Sequence, residues 1–275
     1  SLPVSTWPQA GRYPVFSLNH ERGQATRYYL RIEHARVHYS VMPRVMSDVQ
    51  LTTNTQLEHL LLGAYFGLAA LVILLALINA TAYRDSAFAC YAFYIATFAA
   101  AQGAFTGVAS LYWWPEWPAL NNPAVFALPL VAMAAAMLFV RAVTTPKRFS
   151  RALDWFSLAL MLLLPMLALL EVAHPTSDSF ALINSLIGAS LVVVLMLITV
   201  ALVEGDRHAR WMALGFLPII VATLFPLMRN FGVLRSSFLT EYALMLGSAI
   251  EAPILFYGLL RRVTQGREPT ARATA

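Results

Sequence analysis

Glu251 sits in the middle of an apolar run, FLTEYALMLGSAIEAPILFYGLL, that begins at Phe238 and stops at Arg261–Arg262. Pro253 follows two residues later. A carboxylate at mid-bilayer depth costs a few kcal/mol unless it faces the bundle interior, a partner or water. The chemistry open to it there is ligand or proton binding, or the switching of a helix jointed at the proline. Gln102 falls near the middle of a second apolar run, 87–113, and is the first candidate partner. The plainer alternative is that Gln102 or a tyrosine hydrogen-bonds Glu251 and holds the helices together. Sequence alone leaves both open.

A second polar group falls at helix ends: Glu171 and His174, Asn184, Arg229, and Glu241. Their shared depth suits a vestibule for a small molecule, or contact with interfacial water and whatever precedes the first helix. Glu241 paired with Arg229 or Arg235 is the simplest structural arrangement. Asn79, just before the Arg84–Asp85 turn, is expected to hydrogen-bond a neighbouring helix, with Asp85 or Ser86 capping the next one. Metal chemistry is not expected: the six histidines are scattered, and the close pair His34 and His38 has no evident third ligand. There is no HExxH, P-loop or G-x-S-x-G. Gly247–Ser248 suits close helix packing, with no base aimed at the serine. Cys90, the one cysteine, lies in an apolar segment as a small hydrophobe. No cofactor and no catalytic activity of the chain's own are expected.

The elements that must position these residues follow from composition. The 275 residues are 59% hydrophobic and 12% charged, with mean hydropathy +0.63, where soluble domains carry about a quarter charged residues. This is a polytopic membrane protein. Seven apolar runs reach the length needed for hydrocarbon ~30 Å thick: 59–83, 87–113, 124–144, 153–173, 180–204, 211–229 and 238–260. Loops on the side of the C-terminus hold Arg84, Arg141, Lys147, Arg148, Arg151, Arg207, Arg210, Arg261, Arg262 and Arg267. Those on the other side hold only Arg229 and Arg235. Lys and Arg are retained in the cytosol, so the N-terminus is expected outside and the C-terminus inside. The net charge of +5 is read as topology, and no nucleic-acid partner is expected. Tyr112, Trp113, Trp114 and Trp117 suit an interfacial belt. Pro115, Pro118, Pro123, Pro146 and Pro175 are placed in loops; Pro165, Pro218, Pro226 and Pro253 are placed inside spans. No repeat of helix triplets marks an inverted-repeat transporter.

Residues 1–50 differ, with six arginines and alternating runs. Thr26–His34 has the period of two of a half-buried strand, and Arg12–Leu18 and Val37–Val45 are weaker candidates around an Asn19–Gln24 connection. They read as the last strands of an outer β-sandwich. The predicted organisation is therefore 1–50 sandwich fragment, 51–58 linker, 59–263 seven-helix domain, and 264–275 disordered cytoplasmic tail. Thr53, Asn54 or Thr55 is the expected cap of the first helix. The chain begins at Ser1 without a signal peptide and is expected to be part of a longer protein.

The order of several residues in the first two spans carries a resemblance. Gly63, Tyr65 and Gly67 are followed by Asn79, Arg84–Asp85, Tyr91, Gly107 and Trp114–Pro115. The last span, GSAIEAPILFYGLLRR, closes with small residues, a Glu and boundary arginines. Over residues 12–263 this is similar to the bacterial seven-transmembrane receptors with diverse intracellular signalling modules (7TMR-DISM), and Glu251 falls on that family's Glu. The resemblance implies an outer jelly-roll-like domain for carbohydrate-like or other small ligands. It also implies a seven-helix unit in the bacterial inner membrane and a cytoplasmic effector of diguanylate cyclase, histidine kinase or phosphatase type, working as a homodimer. A transporter or channel using a polar path past Glu251 and Gln102 is the alternative.

Overall fold

The computed structural model describes residues 3, 6, 7, 9, 11–18, 26–30, 43–174, 179–230, 233–235 and 237–272; for Phe180, Leu227, Arg229, Asn230 and 266–272 it describes the backbone alone. Among the described residues, seven helices are long and apolar enough to cross a membrane. They are α1 (Asp48–Tyr83), α2 (Ser86–Phe105), α3 (Asn121–Thr144), α4 (Arg151–Ala173), α5 (Ser179–Val203), α6 (Arg207–Asn230) and α7 (Phe238–Arg272). Leu74, Leu77, Leu163, Met166, Val192 and Leu217 are among many large apolar side chains left exposed on their flanks. Such a surface suits acyl chains and not water. The chain is a multi-pass membrane protein.

α1 begins earlier than its apolar pattern predicts. The Ser47 N–H donates to Gln50 Oε1 at 3.1 Å and the Gln50 N–H donates to Ser47 Oγ at 3.3 Å, a reciprocal cap. The expected linker 51–58 is thus helical. The Thr52 and Thr53 hydroxyls, instead of capping, donate to the Asp48 and Val49 carbonyls at 2.9 Å each. α2 ends at Phe105 and not at 113. The chain turns at Gly107, whose φ of 76° lies in the left-handed region that glycine tolerates. A single π turn, Ala109–Trp113, then folds back so that the Trp113 ring covers Gly103. Tyr112, Trp113 and Trp117 stay exposed there, as an interfacial belt requires.

Other boundaries move as well. Pro123 is in the first turn of α3 and not in a loop, and Pro129, inside α3, escaped the sequence reading. Pro175 lies outside the described residues. α7 continues through 264–272, where a disordered tail was expected. Extending a formed helix needs no new nucleus. No described residue is in a strand: 12–18, 26–30 and 43–45 have no regular structure. The remainder of the three strand candidates, their connection, and His34 and His38 lie outside the described residues.

α3 is the hub, packing on α2, α4, α5 and α6, and its Ala132–Ala136 region lets them approach. α1 closes the ring between α2 and α7. The most extensive contact joins α6 and α7. There a Cβ on Gly247 would fall 2.5 Å from Ala222 Cβ and 3.0 Å from the Pro218 carbonyl. A Cβ on Gly258 would fall 2.7 Å from Trp211 Cβ. These absent side chains set the spacing of the pair.

Two faces can be named from contacts. The lead-in face gathers the beginnings of α1 and α7 and the end of α2, where Arg12 reaches Glu58, Tyr242 and Thr106. The tail face gathers the α1–α2 turn and the far part of α7, where Arg262 approaches Asp85 at 3.9 Å.

Candidate functional site

α2 presents Phe88, Tyr91 and Tyr94 at spacings of three, all fully buried or nearly so. This stripe faces α3, α6 and α7. Tyr91 lies 5.2 Å from Phe139, and Tyr94 stacks on Phe139 at 6.2 Å and approaches Phe216 at 6.0 Å. A phenol at membrane depth must spend its O–H on a protein acceptor. Both do so on consecutive residues of α7. The Tyr94 hydroxyl donates to Glu251 Oε1 at 2.8 Å, and the Tyr91 hydroxyl donates to the Ala252 carbonyl at 2.5 Å.

Glu251 has no exposed surface. Among the described residues its Oε2 has no hydrogen-bond partner, and no Lys, Arg or His pairs with it. One oxygen of the carboxyl is therefore anchored and the other is uncommitted. Pro253 follows, on the exposed side of α7. Proline donates no N–H and crowds the carbonyl one turn back, at Ala249. Ala249 and Ala252 also line a small cavity with Tyr65, Ile95, Phe98 and Ser248, between α1, α2 and α7. The Ser248 hydroxyl lies 3.1 Å from that of Tyr65. The site is a clamp: α2 grips α7 at the residues just before its proline, beside a gap in the packing.

Gln102 does not complete this site. Because α2 is shorter than expected, Gln102 falls in its last turn, two turns or ~12 Å beyond Tyr94. It is buried, but near the lead-in face. The partner of Glu251 is a tyrosine. The spacing Phe88–Tyr91–Tyr94 was the signal available in the sequence, and only Tyr91 was singled out from it.

The vestibule residues divide among local roles. Glu171 is buried and accepts the Ser179 hydroxyl at 2.8 Å, closing the α4–α5 connection. His174 is the exposed residue ending α4. Asn184 is exposed on α5. Arg229 lies in the last turn of α6, with its side chain outside the description. Glu241 meets Arg44 of the lead-in at 3.6 Å. Asn79 donates to the Leu75 carbonyl of its own helix at 2.7 Å and not to a neighbour. Asp85 caps α2 through Ala87 N–H at 2.9 Å, after Arg84 turns the chain in the left-handed region. Gly63 and Gly67 face away from the bundle with open space around them; nothing in the structure explains them. Pro115 follows the π turn, where Trp114 donates its indole N–H to Asn121 Oδ1 at 2.7 Å.

Sequence reasoning missed the best-connected group on the lead-in face. Arg12 is buried, with its guanidinium bonded to the Thr106 carbonyl at 3.0 Å, to Glu58, and to the Tyr242 hydroxyl at 3.4 Å. Burial opposes its charge, but Tyr242, Tyr13 and Glu58 outweigh that and hold its pKa above the ordinary value. On the tail face, Arg141 bonds Asp154 at 2.8 Å and the Ser157 hydroxyl, tying α3 to α4. Arg261 lies over the rings of Trp211 and Tyr257, at 5.6 and 5.3 Å. Part of the basic excess on that face thus has structural work.

α7 is consequently held at two depths, by Arg12 at Tyr242 and by Tyr94 and Tyr91 at Glu251 and Ala252, and at a third Arg262 only approaches Asp85. The outer two are 20 residues apart, or ~30 Å along the helix, the thickness of the hydrocarbon layer. A family model described as 7TM diverse intracellular signalling matches residues 58–262. No curated protein and no solved structure matches the chain.

Proposed function

The chain belongs to the 7TM diverse intracellular signalling family, and from that membership we propose a receptor module that passes a signal across the bilayer along α7. The family makes the seven-helix unit a sensory receptor module. The further reading is that the lead-in face is extracytoplasmic, the tail face cytoplasmic, and the membrane a bacterial inner membrane. A small ligand outside, carbohydrate-like by the resemblance, alters how the lead-in seats on α7. α7 then shifts between two packings against α2, and a cytoplasmic effector of diguanylate cyclase, histidine kinase or phosphatase type responds. The resemblance adds a homodimer. Chemistry belongs to that effector, and the seven-helix unit itself carries no catalytic activity.

One observation carries this reading: α7 is gripped by the lead-in at Tyr242, clamped by α2 at Glu251, and continues unbroken to Arg272. The clamp has the ingredients of a two-position element, with one uncommitted carboxyl oxygen, a proline and an adjacent gap. A ligand shifts such an equilibrium only by its differential affinity for the two positions. The transporter alternative needs a water path past Glu251. The complete burial of Glu251, and its separation from Gln102, speak against it.

The test is to change Glu251→Gln in the receptor carrying its own effector and read effector output. Glutamine keeps the acceptor for Tyr94 but replaces the ionisable oxygen at the uncommitted position with an amide nitrogen. Altered basal output or ligand response is expected. Output and response both unchanged would remove Glu251 from the mechanism, and solute uptake by proteoliposomes that Glu251→Gln abolishes would favour a transporter.

A further inference from the structure

The contacts around Arg12 form a built site and not a chance surface pairing. Four groups converge on its guanidinium: the Glu58 carboxylate from α1, the Thr106 carbonyl from the end of α2, the Tyr242 hydroxyl from α7, and the Tyr13 ring, 5.1 Å away. The first three offer oxygen acceptors and the fourth a negative ring face. The Thr106 carbonyl also stands at the negative end of the α2 dipole. Acceptors at both terminal nitrogens match the forked donors of a guanidinium and not the point charge of an ammonium.

The backbone is shaped for the same fit. Gly107 turns with φ 76°, and a Cβ there would lie 3.1 Å from the Arg12 carbonyl. The lead-in therefore seats directly on the loop that ends α2. Only 3% of the Arg12 side chain is exposed. A buried charge is tolerated only where it is paired and hydrogen-bonded, which this socket provides.

We infer that Glu58, the Thr106 carbonyl and Tyr242 form a guanidinium-binding socket that Arg12 fills in cis, with Tyr13 beside it on the lead-in, and that this is the grip by which the lead-in holds α7. Arg44 on Glu241 is a second, more exposed contact between the lead-in and the same turn of α7. Withdrawing Arg12 would leave Glu58 without its charge partner and free the start of α7. The role of the grip in signalling rests on the receptor reading, whereas the socket's chemistry does not.

The experiment is cavity rescue in the purified chain in lipid nanodiscs. Arg12→Ala is expected to lower the thermal unfolding midpoint by several degrees. Low-millimolar methylguanidinium is expected to restore much of it saturably, while methylammonium and the neutral isostere urea at equal concentration do not. Rescue should vanish in Arg12→Ala combined with Glu58→Gln. No rescue of Arg12→Ala, or equal rescue of the double variant, would overturn the socket and leave the effector-output test of the receptor reading untouched. If Arg12→Ala does not fold, Arg12→Lys supplies the second arm. Tyr242→Phe should lower the midpoint beside Arg12 but not beside Lys at that position, and losses that simply add would overturn the proposal.

Discussion

Replacing Tyr94 by Phe is expected to destabilise the protein by about 1–3 kcal/mol, although it removes a single oxygen. The reason is what it leaves behind. Glu251 is fully buried and Tyr94 supplies its one described hydrogen bond, so the variant strands the whole carboxyl. Leaving a buried polar group unsatisfied costs more than making its hydrogen bond gains. The same argument requires Glu251→Leu to lessen the damage. With both polar partners gone, the site is apolar and satisfied. The double variant Tyr94→Phe/Glu251→Leu should therefore be more stable than Tyr94→Phe alone. Unfolding free energies of the four proteins in one double-mutant cycle check this, with a coupling of roughly 0.5–3 kcal/mol expected. Strict additivity would mean that the hydrogen bond does not join α2 to α7.

Gly247→Leu is expected to cost about 3 kcal/mol, at the upper end for overpacking. The neighbours of an added Cβ include the Pro218 carbonyl and Ile219 Cα, which are backbone atoms and cannot rotate away. α6 and α7 would have to separate, and the aromatic contacts of Phe216 with Tyr94 would loosen with them. Gly63→Leu is the matched control. That glycine also lies on a membrane helix, but a Cβ there meets nothing within 4 Å. Its substitution should change stability by no more than about 0.5 kcal/mol. Equal losses at the two positions would contradict the account of α6–α7 spacing.

Much of the architecture was readable because lipid imposes a simple rule on composition: a spanning helix must be long and apolar. That rule locates seven runs. It does not locate their ends, which local hydrogen bonding decides. The Ser47–Gln50 cap extends α1 by about three turns into polar sequence, since helix beyond the bilayer can be polar. Gly107 stops α2 inside an apolar run, since a left-handed glycine ends a helix whatever its hydropathy.

That second boundary displaced the expected site. Glu251 was identifiable from its cost at depth, but its partner depended on where α2 ends and which face it turns inward. Arg12 was hidden for a different reason. Its alternating neighbourhood, read alone, suggested a strand, and strand pairing is a non-local property. The acceptors of the guanidinium lie 46, 94 and 230 positions away in sequence. No local pattern encodes such a site.

The relay requires the two ends of the seven-helix unit to lie in different compartments. Single cysteines at Val45, exposed before α1, and at Thr264, exposed near the tail face, in a Cys90→Ala background, report this directly. With a membrane-impermeant maleimide on intact spheroplasts, Val45→Cys should be labelled at once and Thr264→Cys only after permeabilisation. Labelling of both, or of neither, before permeabilisation would contradict the account.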